Sequence, residues 1–217
     1  MKKQPQYSHV IWDWNGTLFD DVNWCLKVIN TMLTKRGIKK LHDISDYHDV
    51  FCFPIIEYYR NVGFDFERES FETLAAEFIS LYHFNKSGNC KLHTNAETAL
   101  SSIFESGVSQ TILSASEINN LISQLNEFDI SNYFDEILGI SDIYAKSKLD
   151  IGRDYTTRKS IKNAVLIGDT KHDYEVAMAL GIDCILIPNG HQSKSALLLC
   201  GVPVLDDISR VAKHILA

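Results

Sequence analysis

The chain alternates between short apolar runs and longer segments whose apolar residues recur at helical spacing. Four mostly apolar runs predict buried strands at residues 9–12, 109–113, 164–167 and 184–187. Three amphipathic segments predict helices between the strands, at residues 96–105, 118–128 and 174–180. Such alternation is typical of a parallel sheet with helices on both faces, so the sequence predicts a doubly wound α/β fold.

Residues 20–88 follow a different pattern, because their apolar residues keep helical spacing without any strand–turn–helix alternation. The positions that carry this pattern are Trp24, Val28 and Met32, followed by Phe71, Leu74, Phe78 and Leu81. The segment falls between the first and the second predicted strand, and we call it the helical insertion. The sequence therefore predicts two domains, an α/β core of residues 1–19 and 89–217 and an inserted helical domain of residues 20–88.

Composition and charge narrow the classes of protein and partner. The 217 residues are 45% hydrophobic and carry a formal net charge of −7, as expected of a globular protein with a full core. The negative charge argues against nucleic-acid binding, and no apolar run approaches the roughly 20 residues that span a membrane. The five cysteines include no C-x-x-C pair and are expected to be reduced thiols, which favours a cytoplasmic protein.

Short polar residues follow three of the four predicted strands, at the point where each strand ends. Asp13 follows the first strand, Ser114 the second and Asp169 the third. The ligand site of a doubly wound sheet lies outside the carboxyl ends of its strands, so we expect these side chains to converge. Asp173 lies one helical turn after Asp169, so both carboxylates can face one point. They would repel each other unless a cation lay between them, and oxygen ligands favour Mg²⁺.

These positions lie in motifs of a known family. Residues 10–20 read Val-Ile-Trp-Asp-Trp-Asn-Gly-Thr-Leu-Phe-Asp, which resembles the first motif of the haloacid-dehalogenase-like (HAD) hydrolase superfamily, an apolar strand followed by Asp-x-Asp-Gly-Thr-Leu. Ser114 matches the second motif, and residues 168–173, Gly-Asp-Thr-Lys-His-Asp, are similar to the fourth, Gly-Asp-x-x-x-Asp. Asp-Trp-Asn-Gly-Thr also resembles a phosphoglycolate-phosphatase-like subgroup. The resemblance implies a Rossmann-like core with a helical cap of the first type, formed by residues 20–88.

The resemblance further implies a hydrolase that acts on a small phosphorylated substrate. Asp13 takes the position of the nucleophile, and its transient aspartyl-phosphate divides one difficult displacement into two easier ones. The hydroxyl of Ser114 and the backbone N–H groups of Trp14 and Ala115 would hold the phosphoryl oxygens. Thr17, in the first motif, is a further candidate for substrate binding.

A magnesium site and a lysine are also implied by the resemblance. The implied Mg²⁺ ligands come from the first and fourth motifs: Asp13, the backbone carbonyl of Asn15, Asp169 and Asp173. The third motif is a Lys that offsets the charge of the nucleophile and of the phosphoryl group, and both Lys146 and Lys148 are candidates. We favour Lys148, because it begins a helical pattern that continues through Leu149 and Ile151.

Asn15 departs from the family pattern, in which an Asp at this position protonates the leaving oxygen and then deprotonates the attacking water. An amide can do neither at neutral pH, although general acid–base catalysis typically contributes about 10²–10⁴-fold to the rate. Two hypotheses follow. The first is a Mg²⁺-dependent phosphatase for a small metabolite such as phosphoglycolate, with a slowed second half-reaction. The second is a phosphate-binding or regulatory module that has lost turnover.

A cap of this type closes over the site and contacts the part of the substrate that is not phosphate. The candidate contacts in the helical insertion are Tyr58, Tyr59 and Arg60, and the alternative for the two tyrosines is burial in a core. His191 follows the fourth predicted strand, where it could reach the rim of the site, and a position in a solvated loop is the favoured expectation. The sequence leaves the oligomeric state open.

Overall fold

A five-stranded parallel sheet forms the centre of the computed structural model, which describes residues 5–84, 88–141 and 147–217. With strands numbered in chain order, this main sheet contains β1 (His9–Trp12), β4 (Ser109–Glu117), β5 (Glu136–Ile140), β6 (Ala164–Gly168) and β7 (Asp183–Leu186). Their spatial order is β5-β4-β1-β6-β7. A separate antiparallel pair joins β2 (Phe19–Asp20) to β3 (Lys91–Leu92). The predicted α/β class with a doubly wound parallel sheet is confirmed.

Helices cover both faces of the main sheet. They are α5 (Ala96–Glu105), α6 (Ile118–Glu127), α7 (Lys148–Arg158), α8 (Lys171–Leu180), α9 (Lys194–Leu198) and α10 (Ser209–Ile215). Successive side chains of a strand point to opposite faces, so Val10 and Trp12 pack against α5, α6 and α10, and Ile11 packs on the opposite face with α8 and α9. Burial on both faces explains why the strands read as nearly continuous apolar runs.

The ends of several elements differ from the sequence prediction. Strand β4 continues to Glu117, four residues beyond its predicted end, and its register against β5 shifts between Leu113 and Glu117. Helix α8 begins at Lys171 instead of residue 174, and β7 begins one residue earlier than predicted. Strand β5 was not predicted at all. It lies at the edge of the sheet, its residues are only half-buried, and it therefore lacks the strong apolar pattern of a central strand.

The described part of the helical insertion, residues 20–84 and 88, contains four helices: α1 (Val22–Lys35), α2 (Ile44–Val50), α3 (Ile55–Asn61) and α4 (Phe71–Phe84). All four contribute buried side chains to one apolar cluster, which is distinct from the two clusters that flank the main sheet. The β2–β3 pair places the segment that enters the insertion beside the segment that leaves it. The domain boundaries at residues 19/20 and 88/89 stay a prediction.

Within the described ranges, no helix has the length and hydropathy that crossing a membrane requires.

Two buried tyrosines in the helical insertion differ in their hydrogen bonding. The rings of Tyr47 and Tyr58 meet edge to face, with centroids 5.8 Å apart. The hydroxyl of Tyr47 lies 2.9 Å from Nδ1 of His191, whereas the buried hydroxyl of Tyr58 has no hydrogen-bond partner in the part of the chain that the structure describes. A buried polar group without a partner loses its hydration and regains nothing, so the Tyr58 hydroxyl opposes folding.

We therefore expect Tyr58→Phe to raise the free energy of unfolding by about 1 kcal/mol, because it removes an unpaired buried hydroxyl. The matched control is Tyr47→Phe, which removes a paired hydroxyl and should lower the free energy of unfolding by about 1 kcal/mol. Urea denaturation of both variants measures the two changes. Equal destabilisation by the two substitutions would contradict the difference in pairing.

Candidate active site

The carboxyl ends of β1, β4 and β6 lie side by side and bring the predicted polar residues together. The hydrogen-bond ladder extends past β1, because the backbone N–H of Asp13 donates to the carbonyl of Ile167 at 2.9 Å. Asp13 directly follows β1, Asp169 directly follows β6, and Ser114 lies within β4, three residues before its end; all three are buried. The convergence follows from the strand order, in which β1 lies between β4 and β6.

Lys148 lies within this group and links two of its carboxylates. It is the first residue of α7, and its ammonium donates to Oδ1 of Asp13 and, at 2.6 Å, to Oδ1 of Asp173. The start of α7 is fixed by a capping box, in which Ser147 accepts from the backbone N–H of Asp150 and Asp150 accepts from that of Ser147. Of the two lysines considered from the sequence, Lys148 reaches the group, and Lys146 lies outside the described residues.

A second capping box places Asp173. Its Oδ2 accepts from the hydroxyl of Thr170 at 2.6 Å and from the backbone N–H of Thr170 at 3.0 Å, where α8 begins. The carboxylate therefore caps its own helix with one oxygen and meets Lys148 with the other. Helix capping and site geometry thus depend on the same side chain.

Thr17 and two glycines position Asp169. The Thr17 hydroxyl lies 3.0 Å from Oδ2 of Asp13 and 2.9 Å from Oδ1 of Asp169, and its single proton serves one of them at a time. A Cβ at Gly16 would lie 2.3 Å from Oδ2 of Asp169, and a Cβ at Gly190 would lie 2.0 Å from the same oxygen. Both positions therefore require glycine for the carboxylate to fit.

The Asn15 amide is part of a buried network. Its Nδ2 donates to Oδ2 of Asp21 at 2.8 Å and lies 3.2 Å from the Tyr82 hydroxyl, while its Oδ1 accepts from the Ser116 hydroxyl at 2.7 Å. The Tyr82 hydroxyl also donates to Asp21, at 2.6 Å. An amide suits this position, because one end donates to a carboxylate and the other accepts from a hydroxyl.

Trp14 and Ala115 have different surroundings. The Trp14 side chain belongs to the core of the main sheet, where its indole N–H donates to Oε1 of Gln124 at 2.6 Å and its ring stacks on Phe19. Ala115 is exposed and borders the cavity described below. For both residues the predicted contribution is the backbone N–H, and this stays a prediction.

His191 is buried, so the expectation of a solvated loop is wrong. Its backbone N–H donates to Oδ2 of Asp169 at 2.6 Å, and its Nε2 lies 3.4 Å from Oδ1 of Asp21. The helical insertion covers the loop after β7, since His48 Nε2 donates to the carbonyl of Gly190 at 2.9 Å and the Phe51 ring stacks on His191. The sequence analysis did not single out Asp21, because its partners Tyr82 and His191 lie far from it in the chain and leave no local pattern.

The buried group holds more carboxylates than cationic side chains. Its carboxylates are those of Asp13, Asp21, Asp169 and Asp173. Burial raises the pKa of Asp13 and of Asp169. Burial works against the positive charge of Lys148 and His191, but the carboxylates beside them raise the pKa of both, that of His191 to about 9. When all four carboxylates are ionised, they face two cationic groups, so that only a further charge of +2 would balance the described members of the group.

The donor set fits a divalent cation. Carboxylate oxygens of Asp13, Asp169 and Asp173 all lie within 4.8 Å of one another. Mg²⁺ prefers such hard oxygen ligands, and its charge is the one that would balance the group when all four carboxylates are ionised. The fit therefore rests on both the ligand chemistry and the charge.

A cavity of about 370 Å³ opens beside these carboxylates, and the helical insertion forms its other wall. Tyr58 and Tyr59 line this cavity, and both rings also belong to the apolar cluster of the insertion. Arg60 is exposed, does not line the cavity and pairs with Glu57. Two of the three candidate contacts in the insertion therefore border the cavity.

Comparisons with known proteins agree with this architecture. A structure of a predicted phosphatase from Clostridium acetobutylicum is 24% identical, covering 97% of this chain and 98% of that chain with a TM-score of 0.82. A predicted phosphoglycolate phosphatase from Haemophilus somnus is 15% identical, covering 96% and 97% with a TM-score of 0.79. Protein tyrosine kinase A from Mycobacterium tuberculosis is 20% identical, covering 97% and 98% with a TM-score of 0.80. These likenesses establish the shared fold.

No curated protein matches the sequence. A family model described as haloacid dehalogenase-like hydrolase matches residues 10–187, a range that contains the ends of β1, β4 and β6, the helical insertion and Lys148. Because this match spans most of the chain, the protein belongs to the haloacid dehalogenase-like hydrolases.

Proposed function

We propose that the protein is a Mg²⁺-dependent phosphatase that hydrolyses a small phosphorylated metabolite through an aspartyl-phosphate at Asp13. The observation that carries this proposal is the buried contact of Asp13 with Lys148 beside the carboxylates of Asp169 and Asp173. In this proposal residues 1–19 and 89–217 are the catalytic core, and residues 20–88 are its cap. Phosphoglycolate is one candidate substrate, because a similar structure carries that name.

In the first half-reaction, a carboxylate oxygen of Asp13 attacks phosphorus and the ester P–O bond breaks. The leaving oxygen keeps the electron pair of that bond and takes a proton from solvent water. Lys148 favours the ionised, nucleophilic form of Asp13, since its ammonium lies against that carboxylate. The Ser114 hydroxyl and the N–H groups of Trp14 and Ala115 stabilise the phosphoryl oxygens, and Thr17 orients Asp13. Water then attacks the aspartyl-phosphate, which releases phosphate and regenerates Asp13.

Asp13, the Asn15 carbonyl, Asp169 and Asp173 would hold Mg²⁺, which when bound offsets the negative charge of the phosphoryl group.

A second candidate function is a phosphate-binding or regulatory module without turnover. The specific observation in its favour is Asn15, which cannot transfer a proton and whose amide is engaged by Asp21 and Ser116. The two functions differ in whether Asp13 becomes phosphorylated.

We expect Asp13→Asn to abolish phosphate release and to leave the fold intact, because an amide of nearly the same size replaces the nucleophile. Phosphate release and circular dichroism measure the two effects. The matched control is Asp49→Asn, an exposed carboxylate of α2, which should keep full activity. More than a few per cent of residual activity in Asp13→Asn would refute the assigned nucleophile.

We expect Mg²⁺ to raise the melting temperature of the wild type and to be required for its activity. At a concentration 100 times its dissociation constant, a ligand that binds only the folded state stabilises it by about 2.7 kcal/mol. Asp169→Ala should lose both effects, and Asp49→Ala should keep both. Full wild-type activity in excess chelator would contradict the proposed metal site.

With a substrate whose leaving group needs little protonation, we expect the wild type to release a burst of product equal to the number of active sites, followed by slow turnover, because Asn15 cannot deprotonate the attacking water. Asn15→Asp should accelerate the slow phase by up to about 10²-fold. The new carboxylate would face Asp21, so one of the pair keeps a proton for the leaving oxygen. Rapid-quench kinetics measures both phases.

In the same experiment, phosphate binding with neither a burst nor turnover, in the wild type and in Asn15→Asp, would favour the binding module over the phosphatase.

A further inference from the structure

The wall of the cavity opposite the carboxylates consists largely of aromatic and aliphatic side chains from the helical insertion. They include Phe51, Phe53 and Ile55 around the start of α3 and Phe78, Ile79 and Tyr82 from α4. Ile79 is 44% exposed, a large exposure for an isoleucine. Covering such a surface with an apolar ligand makes the free energy of binding more favourable by about 25 cal/mol for each Å² of apolar area buried.

An aromatic stack connects this wall to the phosphoryl end of the cavity. The Phe53 ring stacks on His172 with centroids 4.6 Å apart, and it meets Phe51 edge to face at 5.6 Å. His172 directly precedes Asp173, whose carboxylate contacts Lys148. A substrate whose phosphoryl group lies at Asp13 therefore directs its remaining atoms along an apolar surface.

The charges on the cavity wall disfavour a second anionic group on the substrate. Among the described residues that line the cavity, Lys148 is the only Lys or Arg, and two carboxylates already engage it. Glu117 lines the cavity as well, and the backbone N–H groups of Asn119 and Asn120 lower its pKa. Three histidines, His83, His172 and His191, line the cavity as well. However, Asp21 already engages His191. His83 contributes to the low pKa of Glu117. The described lining therefore offers the carboxylate of a substrate such as phosphoglycolate no Lys or Arg that is not already paired with carboxylates.

Building on the phosphatase function above, we propose that the substrate is a phosphomonoester whose alcohol carries a flat, apolar group, which packs against Phe53, Phe78 and Ile79. The ester oxygen lies at Asp13, and the apolar group extends toward α4. A phosphomonoester whose alcohol part carries a carboxylate should bind less tightly, because it lacks the apolar contact and is repelled by Glu117.

Two non-hydrolysable phosphonates test the proposal. One is 3-phenylpropylphosphonate, which ends in a phenyl group, and the other is 3-phosphonopropionate, which has the shape of phosphoglycolate. Titration calorimetry on the wild type with excess Mg²⁺ should give at least about tenfold tighter binding of the phenyl compound, since one buried methylene already contributes about tenfold or more. Equal or tighter binding of 3-phosphonopropionate overturns the proposal.

Ile79→Lys supplies the matching variant, because it places a cation on the apolar wall at a partly exposed helix position that tolerates lysine. In this variant the ratio of the two dissociation constants should shift by at least about tenfold toward 3-phosphonopropionate, relative to the wild type. The control is Ile122→Lys on α6, where the isoleucine is 39% exposed but does not line the cavity, and the preference should stay at its wild-type value. The same preference in both variants overturns the placement of the apolar group against α4.

Measurements of turnover distinguish a failure of the proposed substrate class from a failure of the phosphatase function. Phosphate release from 2-phenylethyl phosphate, 2-phosphoglycolate and acetyl phosphate compares two unactivated esters with a small reactive phosphoryl donor. Failure to hydrolyse any of the three, together with preferred binding of the phenyl phosphonate, refutes the phosphatase function and leaves the preference for apolar ligands in place. Hydrolysis of acetyl phosphate with a preference for 2-phosphoglycolate over 2-phenylethyl phosphate refutes the substrate class alone.

Discussion

The contact of the Lys148 ammonium with the carboxylates of Asp13 and Asp173 constrains how the core can fold. The three side chains come from the end of β1, the start of α7 and the first turn of α8, and all three are buried. Loss of the Lys148 ammonium would leave buried carboxylates uncompensated away from water, which typically costs about 3–5 kcal/mol. The three side chains can therefore meet only when the strand order and the starts of α7 and α8 are all native. The capping boxes of α7 and α8 set those starts within the local sequence.

Much of this arrangement was predictable from the sequence, because its determinants are local. The apolar runs gave the central strands, and the positions of Asp13, Ser114 and Asp169 followed from where the runs end. The edge strand β5 was not predictable from its weak pattern, and the end of β4 depends on pairing with that strand. The importance of Asp21 and the burial of His191 were not predictable for a related reason, since both depend on contacts between the helical insertion and the loop after β7.

The hydrogen bond between Asn15 and Asp21 accounts for the amide at position 15. A carboxylate at position 15 would point one unprotonated oxygen at another in a buried site, whereas the amide donates to Asp21 and accepts from Ser116. The departure of Asn15 from the family pattern is therefore consistent with a neighbour that the motif does not contain. Tyr82 completes this network from α4, so that the helical insertion and the first motif share a single set of hydrogen bonds.

The hydrogen bonds between the helical insertion and the rest of the chain have a kinetic consequence. Any movement of the insertion away from the sheet breaks the contacts of Tyr47 with His191, of His48 with Gly190 and of Tyr82 with Asn15. Each such bond contributes about 0.5–1.5 kcal/mol net, so opening the cavity costs a few kcal/mol. An open state of that free energy is only rarely populated, so the insertion moves away from the sheet only in rare excursions.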